Sequence, residues 1–156
     1  MVSHSLSLSV RYAVSRLGLP SSHSFAAWTQ AALEATRRRT AAELSIRVVG
    51  TREARTLNRE YRARDYATNV LSFPVELPRG VVLPLIGDLV ICAPVVAREA
   101  REQGKLLAHH YAHLTIHGVL HLLEYEHDRL RDAAKMESVE RRALARFGID
   151  DPYRAR

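Results

Sequence analysis

His117-Gly118-Val119-Leu120-His121-Leu122-Leu123-Glu124-Tyr125-Glu126-His127 sets three histidines in the spacing H-x3-H-x5-H. Histidines four apart project from one helix face, with Cβ atoms about 5–6 Å apart. Two neutral ring nitrogens at that separation reach one metal ion, each bonding at roughly 2.0–2.1 Å. His127 lies off that face. Six residues at about 100° each leave it about 120° round the axis, so the chain must turn after Leu123 to bring it back. Ile116, Val119, Leu120 and Leu123 supply an apolar face to hold the pair. Three ligands, His117, His121 and His127, with no fourth side chain nearby describe a catalytic zinc site: one ion, with an open position for water. His113, four residues before His117, shares the face and is the rival ligand, although a straight row of three closes less well round an ion.

The elements around this helix, expected over about Leu106 to Leu123, are read from period and punctuation. Ser5 to Val10 alternates with period two and predicts a half-buried strand. Gly18 to Ser22 is a turn. A helix is expected from Phe25 to about Arg39, with Phe25, Trp28, Ala32 and Ala35 inward, and a strand over Leu44 to Val49. Thr51 is the expected N-cap of the next helix, Arg64 to Thr68 a loop, and Asn69 to Phe73 a strand. A fourth strand, Ile86 to Cys92, carries Asp88 near its start. Pro94 suits the first turn of a helix that Gly104 ends. Asp128 is the expected cap of a last helix to Phe147, with Met136, Val139, Ala143 and Phe147 as its apolar stripe. The fold expected is α+β: a single domain over residues 1–156, with a mixed four-stranded sheet packed with about five helices.

Arg52, Arg55, Arg59 and Arg62 recur at i, i+3, i+7 and i+10, one stripe along the helix after Thr51. Two readings stand: a solvated face, or a track for RNA backbone, the second favoured because no acid interrupts the stripe. The 156-residue chain carries a net charge of +6, and 21 of its 23 basic residues are arginine. Arginine's planar fork suits bidentate phosphate contacts, so a nucleic-acid partner fits the charge. The 47% hydrophobic content supports a core. Cys92 stands alone, which excludes an intrachain disulfide and fits a small core residue in a reducing compartment. Ser3 to Arg11 lacks the continuous apolar run of a secretory signal, and the apolar stretch Val81 to Ala97 is broken by Pro84, Gly87, Asp88 and Pro94. A cytoplasmic protein without membrane contact is expected.

Three neutral imidazoles leave an ion its full charge, enough to lower the pKa of a bound water from 15.7 towards about 7. A phosphodiester also needs its transition-state charge stabilised, which an arginine beside the metal would do. Zinc peptidases share the ligand spacing but place a general base directly after the first histidine, where this chain has Gly118. A third reading is a non-catalytic assembly factor whose metal only pins the helix turn.

His117 to His127 resembles the signature H-G-x-L-H-L-x-G-Y-D-H of the YbeY endoribonucleases, bacterial rRNA maturation factors. Leu57-Asn58-Arg59-Glu60-Tyr61-Arg62, Ala67 to Pro74, Gly87 to Cys92 and Asp151-Pro152-Tyr153 also match, in order, from about residue 44 to 153. Glu124 departs from the signature's glycine and Glu126 from its aspartate. A glycine there suits a left-handed helix stop, which costs another residue roughly 1–2 kcal/mol. The resemblance implies a metal-dependent, single-strand-acting endoribonuclease of ribosomal RNA maturation and ribosome quality control, with small-subunit ribosomal RNA as substrate and the ribosome, through its small subunit, as partner. It implies metal ligands at His117, His121 and His127, and it singles out Arg62, which with His117 forms the expected catalytic pair.

Overall fold

Helix α4 (Leu107–Glu124) is the centre of the molecule, because from His110 to Leu123 every residue except His113, His117 and His121 is buried. A helix apolar on most sides must be covered on most sides. Around it the computed structural model describes residues 5–36, 40–81, 83–124 and 133–153. In chain order the other elements are β1 (Leu6–Tyr12), α1 (Ser22–Ala35), β2 (Ala42–Val49), α2 (Thr51–Arg62), β3 (Val70–Pro74), β4 (Leu85–Cys92), α3 (Ala93–Gln103) and α5 (Ala133–Ala145). The α+β expectation holds, with five helices and four strands among the described residues.

The sheet order is β1-β2-β4-β3; β1, β2 and β4 run parallel and β3 pairs antiparallel with β4. Alternation divides the core across the sheet. Leu44, Ile46, Val48, Leu89 and Ile91 join the large cluster with α1, α4 and α5. Val90, Cys92 and Leu71 turn to the other side, where Ala54 of α2 and Val95 of α3 cover them. Burial raises the Cys92 thiol pKa, in keeping with an inert core residue. Trp28 and Tyr111 both meet the ring of Phe25 edge-on. Among the described residues no helix is long and apolar enough to cross a membrane.

Several boundaries differ from the sequence expectation, each for a local reason. α1 starts at Ser22 rather than Phe25 because Ser21 caps it, its Oγ accepting from the Ser24 N–H at 3.1 Å. The described helix ends at Ala35, with Thr36 as its C-cap. Gly50, not Thr51, is the N-cap of α2. α5 ends at Ala145, and a turn closed by the Gly148 N–H to the Ala145 carbonyl at 3.1 Å carries Phe147 off the inward face, leaving it 37% exposed. The expected Asp128 cap lies outside the described residues. Glu124 is the last helical residue of α4. The left-handed non-glycine residue among those described is instead Ala63 (φ 57°), which ends α2 directly after Arg62.

Candidate metal centre

Gly118 brings α4 close to the sheet. A Cβ there would lie 2.9 Å from Leu89 Cδ2 and 3.4 Å from Val70 Cγ2. The Gly118 carbonyl accepts from Ser72 Oγ at 3.3 Å. The position after the first histidine is therefore packed on the sheet, where the acidic base of a peptidase would not fit. The row His113, His117 and His121, spaced by four, is only half-buried, where the other residues from His110 to Leu123 are buried. It opens onto a cleft of about 380 Å³ lined by Arg62, Asn69, Ser72, His113, His117, His121 and Tyr153.

His117 Nε2 and His121 Nε2 converge to 2.9 Å, with ring centroids 4.4 Å apart and planes at 75°. On its other side His117 offers Nδ1 to a carboxylate oxygen of Glu140, in a short hydrogen bond. A carboxylate facing Nδ1 keeps the ring proton there and leaves Nε2 with its lone pair. The donor set thus fits a divalent ion. His127, the third expected ligand, lies outside the described residues. His113 is close at hand: its Nε2 is 3.8 Å from Glu140 Oε2, and neither of its ring nitrogens has a hydrogen-bond partner among the described residues. His113, His117 and Glu140 form a group able to hold a metal ion.

Glu140 is fully buried. Burial alone would raise its pKa, yet the His113 and His117 imidazoles and the Tyr153 hydroxyl hold the carboxyl at about 2. Tyr153 shares the cost, its phenol pKa raised by burial and by Glu140. Behind the cleft, Asn69 Nδ2 donates to Glu99 Oε1 at 3.0 Å and His110 Nε2 meets the same oxygen at 2.9 Å. Burial pulls the His110 pKa down against the pull of Glu99.

Arg62 reaches the cleft from the opposite wall. Its Nη2 donates to the Ser72 carbonyl at 2.5 Å, and its guanidinium lies 5.5 Å from the Phe73 ring centroid. The structure therefore brings Arg62, His117 and His121 to one cleft. The rest of the arginine stripe has other attachments. Arg55 makes a two-pronged pair with Asp65, at 2.8 and 3.0 Å, and Arg59 lies 3.8 Å from the same carboxylate. The acid absent from the stripe itself is supplied by the following loop. Arg52 makes no ion pair among the described residues.

Glu140 and the hydroxyl of Tyr153 were not reached from the sequence as site residues. One signal was present: Glu140 lies four after Met136 and three before Ala143, on the apolar side of α5. An acid on a buried face requires a partner.

The sequence model described as Endoribonuclease YbeY matches residues 18–148. A curated relative from Stenotrophomonas maltophilia (strain K279a), named Endoribonuclease YbeY, is 59% identical over 152 residues, covering 95% of this chain and 93% of its own. Another of the same name, from Xanthomonas campestris pv. campestris (strain B100), matches at the same identity and coverage. A solution structure of a Thermotoga maritima protein shares the fold at TM-score 0.56 and 19% identity, covering 95% of this chain and 99% of that one.

Proposed function

This chain belongs to the YbeY endoribonuclease family, and we propose that it cleaves single-stranded ribosomal RNA using a zinc ion held by His117, His121 and His127. The whole chain, residues 1–156, is read as one such hydrolase domain. It works in the cytoplasm on RNA of the small ribosomal subunit, in maturation and quality control. The observation that supports this reading is the convergence of His117 Nε2 and His121 Nε2 at 2.9 Å in the cleft that Arg62 enters from the other side.

When bound, zinc supplies Lewis-acid charge and an acidified water at neutral pH. The chain's own residues set the rest. His117 and His121 present lone pairs from a rigid, buried helix, so little reorganisation is needed to receive the ion. Arg62 spends one donor on the Ser72 carbonyl, which fixes its side chain, and keeps others for phosphate oxygens. Those hydrogen bonds strengthen as charge develops on the phosphodiester, which is the condition for lowering the barrier. Ser72 therefore positions Arg62, and Gly118 keeps α4 near enough for both walls to meet one phosphate.

Metal content and cleavage of a single-stranded RNA, measured on one preparation, test the reading. Chelation should remove both zinc and cleavage, and zinc should restore them. Cleavage that persists in zinc-free protein would refute it.

A further inference from the structure

Glu140 is an acid engaged through both of its carboxylate oxygens. It is completely buried on α5, where an isolated carboxylate would cost several kcal/mol. Its Oε1 faces His117 Nδ1, and its Oε2 accepts from the Tyr153 hydroxyl. Two roles are open to such a group: a direct metal ligand with His113 and His117, or an orienting group behind a ligand. The geometry favours the second. Both oxygens already accept hydrogen bonds, and an ion among His113, His117 and Glu140 would have to displace the His117 N–H. The nitrogen that His117 leaves free points the other way, towards His121.

Resting on the zinc reading above, the geometry assigns Glu140 and Tyr153 as a positioning pair that fixes the ring and tautomer of His117 and so sets the affinity for the ion. The carboxylate holds the proton on Nδ1 and makes Nε2 a stronger donor to metal. Tyr153 fixes the carboxylate in turn. Its backbone N–H donates to Asp151 Oδ1 at 2.8 Å, and its ring stands edge-on to His113 with centroids 5.7 Å apart. The turn at residues 151–153 thereby becomes part of the metal site without touching the metal.

The test measures zinc affinity by competition with a chromophoric chelator on the full chain: wild type, Glu140→Gln, Tyr153→Phe and the double variant. Glutamine keeps the shape and an acceptor but loses the charge. Glu140→Gln should still bind one zinc per chain, about 10- to 100-fold more weakly. Nitrogen-15 spectra of its metal-free form should show His117 divided between two tautomers where wild type shows one. Tyr153→Phe should weaken binding less, and should add nothing once Glu140 is glutamine. Unchanged affinity in both single variants would overturn the assignment. So would loss of stoichiometric zinc from Glu140→Gln at saturating metal, because that would make Glu140 a ligand. Should Glu140→Gln fail to fold, Tyr153→Phe decides alone, with wild-type affinity and a single tautomer counting against the pair. Wild-type protein that takes up no zinc would overturn the zinc reading itself.

Discussion

Two helices of this chain carry polar ladders at helical spacing, and the protein treats them in opposite ways. On α4, the row His113, His117 and His121 is set in a stretch otherwise buried, and the His117 ring is held between Glu140 and His121. On α2, the four arginines are exposed and only Ala54 and Asn58 are buried. Water screens that second ladder, and Asp65 takes up Arg55 and part of Arg59. The two ladders meet at one point, where Arg62 leaves the exposed stripe and is fixed to Ser72 beside the histidines. A periodic ladder therefore acquires chemistry where packing removes its freedom, and remains a surface where it does not.

The largest effect should come from the buried ladder. His121→Ala should lose zinc and reduce RNA cleavage by about 1000-fold or more, since the ion contributes several kcal/mol of charge stabilisation. Arg55→Ala, on the exposed ladder, should leave zinc and the saturated rate near wild type. Stoichiometric zinc with an intact rate in His121→Ala would break the comparison.

Next comes the meeting point. Arg62→Ala should lower the single-turnover rate at saturating RNA by about 100- to 1000-fold, roughly 2.7–4 kcal/mol, with zinc content unchanged. Lysine should rescue only in part, because a point charge cannot replace a fork. An unchanged saturated rate with full zinc would return Arg62 to the exposed stripe.

Within that stripe, Arg52→Glu should weaken RNA binding similarly across sequences and lower the slope of log affinity against log salt by about 1. Arg55→Glu should weaken it at least as much, because the change also sets a second acid beside Asp65. Equal affinity and slope to wild type in both would make the stripe a solvated face only.

The smallest expected effect is at Ala63. A left-handed alanine costs roughly 1–2 kcal/mol, and glycine gives back about 0.4–1 kcal/mol of that through its unfolded-state freedom. Ala63→Gly should raise the melting temperature by a few degrees. Because Arg62 is also fixed by Ser72, cleavage should stay at the wild-type rate. A lower melting temperature would mean that Ala63 is not strained.

What was legible in the sequence follows the same division. The i, i+4 histidines, the β-strand alternation and the stop at Gly104 depend on local geometry and appear where the residues place them, whereas the last helix ends at Ala145, two residues short of Phe147. The partners of those residues were less visible. Asp65 reaches Arg55 from ten residues away, and Glu140 reaches His117 from twenty-three, across two helices whose packing no local period encodes. The helix starts at Ser22 and Thr51 were displaced by competition among neighbouring capping residues, Ser21 against Ser24 and Gly50 against Thr51. Glu124 shows the limit of reading a motif by substitution: it is the last residue of α4, and the left-handed non-glycine residue among those described stands at Ala63.

The central claim, that His117 and His121 share a zinc ion through Nε2 while Glu140 stands behind them, is tested most directly by zinc-edge X-ray absorption on the metal-loaded protein. The account predicts three imidazole nitrogens at about 2.0–2.1 Å with one further light atom, and one imidazole fewer in His121→Ala, which loses zinc on purification, once excess zinc refills its weakened site. A wild-type shell of two imidazoles and a carboxylate, unaltered by His121→Ala, would contradict it and give the ion to His113, His117 and Glu140.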